Sequence, residues 1–226
     1  MNTRRLAAAV CYIMASTGFI QHSTTGFRPA DIQAMLFLPP VAVVSIVAQG
    51  NRSQYDPDAS VDAAELLRQA LLRHEDKLHL QGQLVVKDSA QREALPRFTI
   101  QTINLLESQH KRPLALPLPW LDTLLAARKQ RYCLLSCVGG YTRTPGNYRG
   151  QLAKDLGIGL LSLGLVIPIT SKCSTRVNIF IYDARQQAIV YYKATWPAEK
   201  DPLAGVVIDR ELTDLLAKDF NLTDRI

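Results

Sequence analysis

The residues that could carry chemistry are few, and their spacing argues against most of it. The chain has four histidines, His22, His74, His79 and His110. In His74-Glu75-Asp76-Lys77-Leu78-His79 two of them flank acids, as ligands of a metal would. Residues five apart lie about 140° from each other around a helix, whereas a zinc-binding pair needs i, i+4 on one face. The stretch reads as the charged, solvated end of a helix. For a serine nucleophile, the nearest match to a Gly-x-Ser-x-Gly elbow is Leu160-Leu161-Ser162-Leu163-Gly164, which lacks the first glycine and sits in an apolar run. Cys133 and Cys137 have no histidine partner in an evident site loop and read as buried strand residues. Between Gly139 and Gly146 there is no Lys-Ser/Thr to make a phosphate loop. Gly157-Ile-Gly159-Leu-Leu-Ser162 replaces the third glycine of a dinucleotide fingerprint and follows Lys154-Asp155-Leu156 instead of a strand. Asp183, Asp201, Asp209 and Glu211 show no pairing that spacing alone establishes. The expectation is no catalytic residue, no metal and no cofactor.

Two features remain. Gly140-Tyr141-Thr142-Arg143-Thr144-Pro145-Gly146-Asn147-Tyr148 has the composition of a turn-forming loop at a strand end. Its Tyr141, Arg143, Asn147 and Tyr148 are candidates to hold a glycan, a peptide or a protein partner. The segment 157–169 places Gly157, Gly159 and Gly164 among leucines and isoleucines, and small residues let another backbone or lipid approach closely. It is a candidate for self-association or membrane contact, although about a dozen residues cannot span a bilayer as a helix.

The elements that must position these residues follow from periodicity. Residues 35–47 read as a first strand whose two prolines suit an entrance or edge. Asn51 to Asp58 is turn-rich. Ser60 caps a helix with Val61, Ala64, Leu67, Leu71 and Leu78 near helical spacing. Gln83-Leu-Val-Val-Lys87 is a short strand, residues 90–109 a helix interrupted near Pro96, and 120–129 a short helix. Residues 132–138 are apolar on both faces, as a central strand is. After a glycine-rich helix in 151–169, residues 175–183 and 188–193 alternate polar and apolar around an Ala184-Arg-Gln-Gln hairpin turn. Asp201-Pro202 opens a last helix that runs to about Phe220. The order β-α-β-α-β-(α)-β-β-α predicts an α/β fold, a mixed sheet with helices packed on it, in a single domain spanning 35–226.

The chain begins with Arg4 and Arg5, then an apolar stretch over residues 6–20, then small residues Ala15-Ser16-Thr17-Gly18. This is the layout of a secretory signal peptide, 1–18, cut after Gly18 and followed by an exposed lead-in, 19–34. Cys11 raises lipidation, but Val10 before it is not small and the apolar run behind it is short, so a lipid anchor there is the weaker reading. Removing residues 1–18 takes away two arginines and no acid, so the formal charge falls from +6 to +4. The remaining excess is spread without a Lys/Arg run, which argues against a nucleic-acid partner. With 47% hydrophobic and 20% charged residues, the chain can bury an ordinary core. Cys133 and Cys137 would lie about 13 Å apart along a strand at roughly 3.3 Å per residue, too far for a disulfide. Cys173 could pair with one of them, but an odd count past the leader favours free thiols.

Leu38-Pro39-Pro40, the 140–148 stretch, Gly157-Ile-Gly159, Ile181-Tyr-Asp-Ala184 and Val190-Tyr-Tyr192 together resemble a group of uncharacterised exported proteins of Bacteroidota. More distantly, they resemble the α/β domain of CsgG-type and TolB-N-terminal-like envelope proteins. The resemblance implies a periplasmic α/β domain that assembles with itself or with envelope partners, and it supplies no catalytic residue. The expected function is therefore a non-catalytic exported envelope protein. The alternative is an envelope hydrolase or small-ligand-binding protein that sets the 141–148 loop against an acid such as Asp183. Expected partners are an envelope protein or a second copy, with peripheral membrane contact.

Overall fold

Pro39 and Pro40 each lack a backbone N–H, so no strand can run through them with an unbroken ladder. In the computed structural model, which describes residues 20–23, 27–48, 52–109, 113–144 and 171–222, the expected first strand is split at this point. The elements are β1 (Ile20–Ser23), a 3-10 turn (Pro29–Asp31), β2 (Met35–Phe37), β3 (Val41–Ala48), β4 (Arg52–Tyr55) and α1 (Pro57–Arg73). Then follow β5 (Leu80–Gln83), α2 (Ser89–Ser108), β6 (Leu114–Ala115), α3 (Pro119–Ala127) and β7 (Tyr132–Arg143). The chain closes with β8 (Cys173–Asp183), β9 (Ala188–Ala194) and α4 (Gly205–Phe220).

The strands form one mixed sheet, as the α/β reading requires. Its main path is β1-β9-β8-β7-β2-β5, with β3 between β7 and β4, and β6 on β9. β7 is the spine. It lies antiparallel to β8 on one side, and on the other runs parallel first to β2 and then to β3. Phe37 pairs with Leu134 but Val41 pairs with Cys137, so the β2–β3 row holds one residue more than β7 over this interval. The extra residue falls at the prolines and inverts the alternation: Met35 and Phe37 share a face with Ala42 and Val44.

Both faces of the sheet are covered, which explains why 132–138 is apolar throughout. Leu134 and Val138 pack with Leu67 and Leu71 of α1 and Leu212 and Leu216 of α4. Cys133, Leu135 and Cys137 pack the other way, with Leu95, Ile103 and Leu106 of α2 and Leu121 and Leu125 of α3. Val190 is the extra residue of a bulge opposite Ile181 and Tyr182, so it and Tyr191 point into the same layer.

Several expected boundaries are corrected. The cap of α1 is Asp56, whose carboxylate accepts from the Ala59 amide at 2.9 Å, with Pro57 at the first helical position. Ser60 lies inside the helix. Its hydroxyl donates to the Asp56 carbonyl at 2.7 Å and accepts from the Val44 amide at 3.0 Å, tying α1 to β3. The turn-rich stretch after residue 51 contains β4. The second strand is Leu80–Gln83, not 83–87; the Leu84 amide makes a last bond to the Phe37 carbonyl at 2.7 Å, Leu84 and Val86 pack under α2 and α3, and Val85 faces out. Helix α2 is continuous through Pro96, because its buried stripe of Leu95, Thr99, Thr102, Ile103 and Leu106 holds it while Pro96 itself is exposed. Asp201-Pro202 forms a turn in which Asp201 accepts from Leu203, and α4 starts three residues later at Gly205.

Candidate functional site

β3, β7 and β8 continue beyond the helices that cover them. Cys133 to Val138 are buried, but Gly139 to Arg143 are half-buried on both faces. Ser45 and Ile46 of β3 and Cys173 and Ser174 of β8 are half-buried as well, and all four residues of β4 are exposed. At this end of the sheet the described β7 backbone is half-buried, while Val47 and Thr175 beside it stay buried.

Tyr141 and Arg143 are not on a loop, as their composition suggested. They are on β7, whose pairing with β3 and β8 continues past Gly139-Gly140 to the strand end. Pairing overrides turn composition because two neighbours supply a ladder for the backbone. The register sets Tyr55, Ser45, Tyr141 and Ser174 on one rung across β4, β3, β7 and β8. Val41 and Cys137, four residues back along their strands, pack beneath α2 and α3, so this rung faces the same side. Two strand spacings put Tyr55 and Tyr141 about 10 Å apart. On neighbouring rungs, Arg143 lies opposite Val47, and Arg176 opposite Gly139.

Ser45 lies between the two tyrosines, Ser174 flanks Tyr141 on its other side, and Gly139 precedes Tyr141 on the same face, where an added Cβ would meet nothing within 4 Å. The Arg143 guanidinium stands 6.0 Å from the centre of the Tyr141 ring, and its Nε donates to the Ser171 carbonyl at 2.8 Å. Arg176 pairs with Glu107 at 2.5 Å. Glu107 Oε1 also accepts from the Tyr192 hydroxyl at 3.0 Å, which lies 3.1 Å from Asn178 Oδ1. Arg176 Nε is buried with no hydrogen-bond partner among the described residues. Two phenol rings and the Arg143 guanidinium on one face suit stacking, while Arg176 is held by Glu107. Cys137, next along this face, is no nucleophile, since burial pushes its thiol up to about 12 even with the Arg176 charge beside it. Cys133 and Cys173 are free thiols too; burial raises both, and the carboxylates of Asp201 and Glu199 add to the effect at Cys173.

Asn147, Tyr148, Gly157, Gly159 and Gly164 lie outside the described residues, as do the leader 1–18 and His110. Asp183, the acid expected to face the loop, is at the opposite end of the sheet. It pairs with Tyr132, nine residues or about 30 Å along β7 from Tyr141. There it is fully buried and bound by Arg131 through two hydrogen bonds of 2.9 and 2.6 Å, with further donors in the Arg185 amide and the Gln186 side chain. His74 is 3.2 Å from the Thr213 hydroxyl and 3.6 Å from Asp209, joining α1 to α4, not standing free in solvent. Among the described residues no His/Cys/Asp/Glu cluster could hold a metal, and no helix is long and apolar enough to cross a membrane.

Sequence reasoning missed Tyr55 and Arg176. The available signal for Tyr55 was Asp56-Pro57, a cap and first-turn pair that confines any strand to the residues before it. A second concavity of about 360 Å³ opens between the helices on the α2/α3 side, lined by Ala90, Gln91, Ala94, Leu95, Phe98 and Trp120. Phe98 and Trp120 meet there edge to face at 6.4 Å.

No family model and no curated protein matches the chain. Among solved structures, it is similar to a PelC dodecamer from Paraburkholderia phytofirmans at 11% identity and a TM-score of 0.39, over 90% of this chain and 96% of that one. It is also similar to a DUF4136 family protein from Bacteroides thetaiotaomicron at 7% identity and a TM-score of 0.30, over 87% of this chain and 94% of that one.

Proposed function

We propose that the chain is an exported, non-catalytic cell-envelope protein of the CsgG-like or TolB-N-terminal-like kind. Its α/β domain binds a partner, or a second copy of itself, at the Tyr141 end of the sheet. One observation carries the reading: β7 and β8 leave their helix layers there, with Tyr55, Tyr141, Arg143 and Arg176 on one face. Gly157, Gly159 and Gly164, in the sequence between β7 and β8, are the residues proposed to allow tight backbone approach in the assembly. The leader supports an envelope location. A hydrolase acting through Tyr141 and Asp183 would need those side chains together, and they occupy opposite ends of β7 and β8.

Size-exclusion chromatography with light scattering tests the assembly. The chain from Phe19 onward should elute as a higher-order species, and Gly159→Leu or Gly164→Leu should convert it to monomer without loss of the circular-dichroism signal. A strictly monomeric wild type, indifferent to detergent, would remove the assembly part. N-terminal sequencing of protein from the fractionated host tests export: the expected first residue is Phe19, and a cytosolic chain beginning at Met1 defeats it.

A further inference from the structure

β4 is an edge strand without the devices that usually blunt one. All of Arg52-Ser53-Gln54-Tyr55 is exposed, and among the described residues the strand pairs with β3 alone. Natural edges are blocked by proline, a bulge or several charges, because free backbone groups invite another strand. β5 is interrupted in this way: its pairing with β2 shifts register, and Gly82 has a φ of 117°. β4 keeps an unbroken register on β3 and carries a single charge, Arg52.

Which of its backbone groups are free follows from one bond. The Asp56 amide donates to the Val44 carbonyl at 3.0 Å, and Asp56 is still extended, at φ −115° and ψ 109°. Val44 and Asp56 are therefore a hydrogen-bonded pair. Alternation along an antiparallel ladder makes Ile46–Gln54 and Ala48–Arg52 hydrogen-bonded pairs as well. Ser53 and Tyr55 turn their N–H and C=O groups away from β3, to the outer rim.

Two-fold pairing of this rim with its own copy must oppose outward-facing residues, which restricts the register. With Gln54 facing Gln54 on the axis, Ser53 lies opposite Tyr55 of the second copy at two equivalent places, and each such pair exchanges both backbone bonds. Every outward group of Ser53 and Tyr55 then has a partner. One residue further, Arg52 comes opposite Asp56 of the second copy, where the exposed Asp58 adds another acid in the first turn of α1. Centring on Tyr55 instead would set Ser53 against Pro57, which has no N–H, and centring on Ser53 would set Arg52 against the neutral Gln54. Resting on the second-copy reading above, we infer that β4 pairs with β4 of a second copy in the Gln54-centred register and joins two sheets into one. Tyr55 of each copy then lies about 7–8 Å diagonally from the other, and the row of Tyr141, Ser45 and Tyr55 continues across the axis on one face.

Gln54→Cys in the full chain, with Cys11→Ser and Cys173→Ser, tests the register. A non-hydrogen-bonded pair on the axis brings its two Cα atoms to about 4.5 Å, within the span of a disulfide. Mild oxidation should yield a covalent dimer from this variant and not from Ser53→Cys in the same background. Ser53→Pro removes an outward N–H and leaves the bonds to β3 whole. By light scattering it should be monomeric at concentrations where the wild type is dimeric or larger, with an unchanged circular-dichroism signal. Arg52→Glu should weaken the pairing about tenfold or more. No crosslink in Gln54→Cys, equal crosslinking of Ser53→Cys, or a Ser53→Pro chain that associates like the wild type would each overturn the inference. A higher-order species without the Gln54→Cys crosslink keeps the assembly reading and rejects this pairing. A cytosolic chain that crosslinks defeats export and leaves the pairing standing.

Discussion

At the residue scale, the buried charges are structural anchors with unequal partners. Asp183 is fully buried, whereas the Arg131 side chain is 41% exposed and also stacks over Tyr132 at 4.8 Å. Removing the arginine strands a carboxylate in the interior; removing the carboxylate leaves a cation that can turn to water. Arg131→Met should therefore destabilise by about 3 kcal/mol and Asp183→Asn by about 1–2, measured by urea unfolding. Tyr191 gives a pH dependence. Its hydroxyl donates to Asp219 at 2.8 Å, and burial, then the Asp219 charge, pushes its ionisation above the usual tyrosine range. The neutral phenol is thus favoured by folding, so its contribution is full below pH of about 10 and is lost as pH rises beyond that. Tm measured from pH 8 to about 11.5 should fall steeply above 10, and less steeply in Tyr191→Phe.

At the element scale, Gly139 and Gly140 look equivalent in sequence and are not. A Cβ at Gly140 would collide with the Ser174 carbonyl oxygen and sit 3.2 Å from Pro202, while one at Gly139 would meet nothing. Gly140→Ala should cost about 1–3 kcal/mol and Gly139→Ala less than about 0.5, by thermal or chemical melts. The same contact limits what could be read in advance. The long apolar strand, the closing hairpin and the helices around Leu67 and Leu95 were legible, because burial imposes a period on the residues. The extension of β7 to Arg143 was not. It depends on β3 and β8 arriving from distant parts of the chain, and local composition there favours a turn. Asp201-Pro202 misled for a related reason: Pro202 packs against Gly140 instead of starting a helix. Of the candidate face, Tyr141 and Arg143 were found by type, while Tyr55 and Arg176 join them only through register.

At the scale of the whole molecule, the two ends of the sheet differ among the described residues. Near Tyr132 and Asp183 the strands finish beneath Arg131, Phe27 and the hairpin, with polar groups paired and rings in contact. Near Tyr141 they finish in half-buried backbone, aromatic rings and guanidiniums. The helix layers cover the middle of the sheet on both faces.

The offset at Pro39-Pro40 bears on how a chain of this fold can change in length. Within most paired strands, losing a single residue inverts every later side chain, core to solvent. Between Phe37 and Val41 the row already holds one residue more than β7 beside it. Loss of one proline would bring the two rows into step, with Ala42 and Val44 still on the side of Leu134 and Val138. Among relatives of this chain, a one-residue gap in an inner strand is to be sought here first, at a site that absorbs a deletion the rest of the sheet would not.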